Sequence, residues 1–285
     1  MLLRNEPMAK KTTFQVGGNA QFWCEPSGED DLAKLLAYCG ANRVPFFVIG
    51  RGSNLLVRDS GVKGVVIRLA HASFRAVEVR GERIFAGAGA KLHDVVMAAR
   101  QASLAGLEFM EGIPGSVGGA LRMNAGAMGQ WTFEVVERVR FMDYCGRVFE
   151  RPAGEIHYEY RGCPLFRDHI ALGAVFKGVP ASRETIENRL KAFQQKRWST
   201  QPRESSAGCV FKNPKEIPAG KLIDELGLKG KMIGKARISE VHGNFIVNDG
   251  GATAADVLQL IEFVKRRARE ERGIELETEV MILGD

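Results

Sequence analysis

Apolar residues near the start of the chain recur at helical spacing. Leu32, Leu35, Leu36 and Cys39 fall on one face, and Ser27 with Asp30 reads as a capping pair ahead of them. Pro45 ends that pattern, and the run Phe46-Phe47-Val48-Ile49 reads as a strand. Leu55-Leu56-Val57 and Gly64-Val65-Val66-Ile67-Arg68-Leu69 are strand-like too, so residues 1–70 read as a small α/β lobe. Two alternating runs, Ala76–Arg80 and Arg83–Ala88, predict a hairpin. A helix from about Leu92 to Ala102 turns Leu92, Val95, Val96 and Ala99 inward. Strands are expected near Val135–Asp143, Arg147–Glu150 and Ile170–Lys177, closing a second α+β lobe over residues 71–180. A basic amphipathic helix carrying Ile186, Leu190 and Phe193 opens the last lobe, residues 181–285. That lobe holds a strand-like Asn244–Asn248, a long helix from about Thr253 to Arg272 and a strand-like Ile274–Leu283.

Between these elements lie two glycine-rich stretches. Residues 106–129, GLEFMEGIPGSVGGALRMNAGAMG, contain seven glycines and almost no charge in the middle. Such a stretch cannot fill a core with side chains, but its peptide N–H groups can approach a ligand closely. A smaller loop, Gly50-Arg51-Gly52-Ser53-Asn54, follows the first strand. Each loop alone reads equally well as a tight turn. The pair suggests one extended nucleotide cofactor held at two points through its diphosphate. There is no GxxxxGK[ST] and no GxGxxG opening a helix, which disfavours a P-loop nucleotidase and a Rossmann fold.

Composition narrows the class. With 285 residues, 45% hydrophobic and 26% charged, the chain is a soluble globular protein of two or three lobes. No uncharged apolar run reaches ~18 residues, so no membrane insertion is expected. The first residues, MLLRNEPMAKK, lack the apolar stretch of a secretory signal. Five cysteines, without a CxxC or a Cys/His cluster, argue against a disulfide scaffold and against a metal site, and point to reduced thiols in a cytosol. The net charge of +6 is scattered rather than blocked, so nucleic acid is not an expected partner.

The order of short motifs carries more. Thr12-Thr13-Phe14 with Gly17-Gly18, Gly52-Ser53-Asn54-Leu55-Leu56-Val57, Gly112-Ile113-Pro114-Gly115-Ser116-Val117-Gly118-Gly119, Asn124-Ala125-Gly126-Ala127, Tyr160-Arg161, Gln201-Pro202, Ala207-Gly208 with Phe211-Lys212-Asn213-Pro214, and Glu279-Val280 follow one another along nearly the whole chain. In that order they resemble the UDP-N-acetylenolpyruvoylglucosamine reductase family, also called UDP-N-acetylmuramate dehydrogenases, bacterial flavoenzymes of peptidoglycan synthesis. The resemblance implies an α+β fold, with a vanillyl-alcohol-oxidase-type, two-lobed FAD-binding domain and a C-terminal α+β substrate-binding domain. It implies non-covalent FAD, NADPH as electron donor, UDP-N-acetylglucosamine enolpyruvate as substrate and a cytoplasmic location. Cys209 lies only 48 positions after Arg161, leaving no room for the lid loop of one branch, so the chain resembles the shorter, type II branch.

Site residues follow from the matching positions. Gly50, Arg51, Gly52, Ser53, Asn54 and Leu55, with Gly112, Ile113, Pro114, Gly115, Ser116, Gly118 and Gly119, are expected around the FAD diphosphate. Asn124, Ala125 and Gly126 are expected along the flavin. Arg51 departs from the glycine common at its position. The implied catalytic set is Arg161, Cys209 and Glu279. A fixed guanidinium suits the negative charge that develops on an enolate conjugated to a carboxylate. Cys209 stands where the family usually has a serine proton donor, and a thiol, with a pKa near ~8.5, is the stronger acid. Glu279 is implied by resemblance alone, because alternation would put Glu275, Glu277 and Glu279 together on one solvated face. Tyr160, Asn213, Lys212 and Lys221 are the implied substrate contacts, with Lys229 a further candidate for the substrate diphosphate. The rivals are another FAD-dependent oxidoreductase on the same scaffold and a non-catalytic nucleotide-sugar-binding module.

Overall fold

The computed structural model describes residues 1–285, and the chain forms two units, each assembled from three separate segments. The first comprises Met1–Leu3, Trp23–Arg51 and Gly64–Arg197; the second comprises Arg4–Phe22, Gly52–Lys63 and Trp198–Asp285. Residues 1–70 are therefore shared between the units, and the small glycine loop is divided after Arg51. No helix is long and apolar enough to cross a membrane.

In the first unit the alternating runs form a five-stranded antiparallel sheet. Its order is Val148–Pro152, Val136–Asp143, His169–Lys177, Arg83–Gly87, Val77–Arg80. His169–Lys177 lies in the middle and is buried along nearly its whole length. The hairpin pairs Arg80 with Arg83 and turns through Gly81 at φ +58°. Helix α1 (Glu29–Ala41) buries Leu32, Leu36 and Cys39, while Leu35 reaches only the rim. Its start differs from expectation. Gly28 is the N-cap, and Ser27 gives its N–H and hydroxyl to Asp31, at 2.9 and 3.2 Å, rather than pairing with Asp30. Helix α2 (Leu92–Gln101) buries Leu92, Val95, Val96 and Ala99, the apolar face its spacing predicts.

Two features bring the glycine loops to one place in this unit. Phe46–Ile49 pairs in parallel with Val65–Arg68, so Gly50 and Arg51 leave the sheet beside the end of the strand that carries Arg68. Helix α3 (Val117–Met123), in the middle of the long glycine stretch, packs on His169–Lys177. A Cβ on Gly118 would lie only 3.1 Å from Ala88 Cβ, so glycine sets that close approach. A short helix α4 (Thr132–Val135) and the polar α5 (Arg183–Thr200) follow, the latter burying Ile186 and Leu190, with Phe193 half-buried.

The second unit is built on an antiparallel sheet in the order Ser205–Cys209, Phe245–Asn248, Ala236–Ile238, Met232–Ile233. Its helices are α6 (Ala219–Glu225) and α7 (Ala254–Arg272). Helix α7 buries Val257, Leu260, Ile261 and Val264, each contributing about 2 kcal/mol of transfer free energy. Thr253 and Asp256 close a capping box at its start, and Gly273 ends it at φ +65°.

The expected strand Ile274–Leu283 is a strand only at Met281–Leu283, which pairs in parallel with Leu55–Val57. Before that, Lys212 N–H bonds Glu277 O, and then Glu279 and Val280 both donate to Val210 O, at 2.8 and 3.3 Å. Two successive N–H groups aimed at one carbonyl break the alternation. Glu275 and Glu277 stay exposed, whereas Glu279 is half-buried.

Candidate functional site

A cavity of about 450 Å³ opens in the first unit between the two parallel strands and α3. Gly50, Arg51, Ser116, Gly118 and Gly119, all singled out from the sequence, line it. A Cβ on Gly50 would lie 2.5 Å from Ser116 Oγ, so a side chain at 50 would fill the cradle. The N–H groups of Val117 and Gly118 are spent on Ala90 O and Ala88 O, at 3.0 and 2.8 Å. Side chains therefore supply most of the positive field. Arg68, Arg75, Lys91 and Arg122 join Arg51 in the wall, against the single carboxylate of Asp94. None of those four was singled out from sequence. Arg122 carried a faint signal, because at i+3 and i+4 from Gly119 and Gly118 it shares their helix face.

Two of these cations have the physical marks of an anion site. Arg51 Nε is screened from solvent and makes no hydrogen bond to the protein. Arg122 is held by donating to Phe166 O, and burial pushes its guanidinium below the ordinary arginine value while leaving it charged. A glycine cradle, an orphaned guanidinium nitrogen and five cations fit a dinucleotide diphosphate. Gly112, Ile113, Pro114 and Gly115 lie beside this wall rather than in it. Gly112 closes the 3-10 turn Glu108–Gly112, and Gly115 O accepts Leu92 N–H at 3.2 Å.

The stretch expected along the flavin continues from α3. Asn124 ends that helix at φ +39° and is buried; its Oδ1 accepts Phe133 N–H and its Nδ2 donates to Glu159 O, at 3.2 and 3.3 Å. Gly126–Ala127 then pairs with Gln130–Trp131. Arg161, itself at φ +59°, reaches this hairpin, where its Nη1 donates to Gly126 O at 3.4 Å and its Cζ lies 5.2 Å from the Trp131 ring centroid. Tyr160 is half-exposed beside it.

The other implied residues meet in the second unit. The strand Ser205–Cys209 pairs with Phe245–Asn248, but the register slips between Ser206 and Cys209, where Gly208 takes φ +76°. The bulge re-aims the chain at Cys209, which is half-buried. Thr13 ties this strand to the small glycine loop: its hydroxyl donates to Ser206 O at 2.7 Å and its N–H to Gly52 O at 3.2 Å. Gly52 has φ +69°, and a Cβ there would lie 2.4 Å from Lys11 O. Asn54 completes the ring, giving Nδ2 to Glu279 O at 3.1 Å and accepting Met281 N–H at 3.0 Å. Gly52, Asn54, Cys209 and Glu279 are thus linked through backbone and short side chains alone.

The implied substrate contacts are less uniform. Asn213 Oδ1 accepts Ala219 N–H at 3.0 Å and so fixes the start of α6. Lys212 pairs with Glu277 at 2.5 Å, Lys221 with Glu225 at 3.8 Å and Lys229 with Asp224 at 2.8 Å. Each lysine exchanges its acid partner for phosphate if it binds one. Among the other thiols Cys163 is buried, and burial pushes it up to about 11, which keeps it protonated and unreactive near neutrality.

Comparison with known proteins gives two family matches along the chain and relatives over its whole length. Residues 20–151 match the family described as FAD binding domain, and residues 201–283 match UDP-N-acetylenolpyruvoylglucosamine reductase, C-terminal domain. The UDP-N-acetylenolpyruvoylglucosamine reductase of Methylorubrum extorquens is 46% identical over 99% of this chain and 92% of its own length. That of Clostridium botulinum is 43% identical over 100% of this chain and 93% of its own. Among solved structures, UDP-N-acetylenolpyruvylglucosamine reductase from Thermus caldophilus aligns with a TM-score of 0.87 at 37% identity, covering 100% of this chain and 98% of that one.

Proposed function

The chain belongs to the UDP-N-acetylenolpyruvoylglucosamine reductase family, and we propose that it catalyses the NADPH-dependent reduction of UDP-N-acetylglucosamine enolpyruvate to UDP-N-acetylmuramate, with FAD bound non-covalently. This is a reductive step of peptidoglycan synthesis, and the reading puts it in the cytoplasm. FAD, when bound there, would supply the two-electron chemistry that links NADPH to the enolpyruvyl double bond. The cationic cavity of Arg51, Arg68, Arg75, Lys91 and Arg122 would hold its diphosphate.

The protein's own part is charge and proton management. Arg161 grips the enolpyruvyl carboxylate and offsets the negative charge that grows on the adjacent enolate. Cys209 gives its thiol proton to the enolate carbon. Glu279 orients the carboxyl end or couples that proton. The observation that carries this reading is the linkage of the small glycine loop to Cys209 and Glu279 through Thr13 and Asn54. That linkage puts the proposed proton donor on the same framework as a glycine loop. Asn213 and the lysines 212, 221 and 229 are read as contacts along the rest of the substrate.

The test is spectroscopic. Anaerobically photoreduced protein is mixed with UDP-N-acetylglucosamine enolpyruvate, and the return of the oxidised-flavin bands is followed. Rapid return, absent with UDP-N-acetylglucosamine, is expected. Cys209→Ser should keep substantial activity, and Cys209→Ala should slow the return by about 100-fold or more, the usual worth of a general acid. Unchanged return in the Ala variant would remove Cys209 from the mechanism. A flavin that stays reduced in the parent would point to another acceptor.

A further inference from the structure

The role proposed for Arg161 requires its guanidinium to be aimed. A long arginine side chain is flexible, and a bidentate grip on a carboxylate needs its plane fixed. The hairpin after α3 supplies a surface for this. Gly126–Ala127 pairs with Gln130–Trp131, with Trp131 opposite Gly126. The turn residues Met128 and Gly129 both lie at positive φ, +55° and +80°, as a type I′ turn requires. Trp131 is pinned on both sides. Its backbone N–H donates to the Glu134 carboxylate at 3.1 Å, and the backbone N–H and hydroxyl of Thr132 both donate to Ala125 O, at 2.9 and 2.7 Å.

So held, the indole lies over the glycine opposite. A Cβ added to Gly126 would sit 2.2 Å from Trp131 Cε3 and 2.7 Å from Cζ3. The guanidinium of Arg161 then meets two rings. Its Cζ is 5.2 Å from the centroid of Trp131 and 5.5 Å from that of Tyr160. The rings themselves stand edge to face, 5.6 Å apart at 80°. A cation within ~6 Å of an indole centroid is attracted by the ring quadrupole, most strongly by tryptophan. Two rings at nearly a right angle form a corner that fixes both the position and the tilt of the cation.

We propose that Trp131 is a positioning residue of the reductase, holding the Arg161 guanidinium at the angle that receives the enolpyruvyl carboxylate. The inference rests on the reading of Arg161 as that grip. It also accounts for Gly126, since the indole leaves no volume for a side chain there.

The test is a double-mutant cycle on the FAD-loaded enzyme, with Trp131→Leu, Trp131→Phe, Arg161→Ala and the two combined variants. Two quantities are read: the rate at which UDP-N-acetylglucosamine enolpyruvate reoxidises photoreduced flavin, and the Kd of UDP-N-acetylmuramate from its perturbation of the flavin spectrum. Trp131→Leu should slow reoxidation about tenfold and weaken product binding to match, while Trp131→Phe stays within about threefold. In the Arg161→Ala background neither substitution should add anything. Parent-like reoxidation in the Leu variant overturns the proposal. So does a Phe variant as slow as Leu, or effects that multiply in the Arg161→Ala background. If Arg161→Ala itself reoxidises like the parent, the reading of Arg161 fails and the proposal with it. Should the Leu variant not fold, the Phe variant decides alone, because its modest slowing must vanish without Arg161.

Discussion

Asn244→Ala tests whether the segment carrying Cys209 is held by one buried side chain. Asn244 is only 2% exposed and clasps both polar groups of one residue: its Oδ1 accepts Phe211 N–H and its Nδ2 donates to Phe211 O, both at 2.8 Å. Its own carbonyl takes Val210 N–H at 2.9 Å. Truncation leaves a buried donor and a buried acceptor unpaired, beside a phenyl ring that is itself 1% exposed. At about 1–3 kcal/mol for each of the two orphaned groups, the loss is about 2–6 kcal/mol. Against a total of roughly 5–15 kcal/mol, that is a large share. Urea unfolding followed by circular dichroism should show a midpoint lower by about 1 M. Asn244→Asp should fall nearly as far, because it keeps the acceptor but sets a carboxylate against Phe211 O. The cationic wall of the cavity lies in the other unit, so flavin binding should persist while reoxidation by substrate slows. A midpoint shift under about 0.2 M for the Ala variant would refute the claim that these two bonds hold the segment.

Two further outcomes follow from backbone and burial. Gly52→Ala combines φ +69° with a Cβ 2.4 Å from Lys11 O, so a loss of at least about 1–2 kcal/mol is expected in the same unfolding assay; a parent-like midpoint would show that the loop relaxes freely. His242 is pushed below the ordinary histidine range, chiefly by burial and then by Lys229. It is neutral in the fold, so its contribution is present above the unfolded value near ~6.5 and is lost as pH falls through that value toward the folded one. Thermal melting should therefore drop between about pH 7 and about pH 5 by more in the parent than in His242→Asn, which keeps an acceptor for Asn244 N–H. Equal drops in both proteins would exclude His242 as the cause.

What the sequence made legible was local. The apolar face of α2 follows from helical spacing, the span of α7 was visible as well, and the hairpin follows from strict alternation. The break near Glu279 did not follow, because it is imposed by Val210 O, distant in sequence, accepting two successive N–H groups. The bulge at Cys209 was hidden for the same reason: a register slip exists only relative to the partner strand. The glycines of the cavity were visible as a motif. The cations that dominate its wall were not, since Arg68, Arg75 and Lys91 are single charges at the ends of unrelated elements. Trp131 carried no signal until its pairing with Gly126 was seen. Family resemblance, by contrast, spoke to the whole chain, because motif order survives where contact geometry is silent.

The parallel pairing of Leu55–Val57 with Met281–Leu283 also bears on how the protein is made. On the ribosome, residues 64–197 of the first unit emerge between the second and third segments of the other. Leu55–Val57 and the buried Phe14 and Leu56 must wait, unpartnered, until α7 and the strand after it leave the exit tunnel. The first unit can mature during synthesis, whereas the second closes last, over contacts of very long sequence separation, and should be slow to form. The nascent chain therefore carries an exposed apolar strand through most of its elongation, a natural target for holding chaperones.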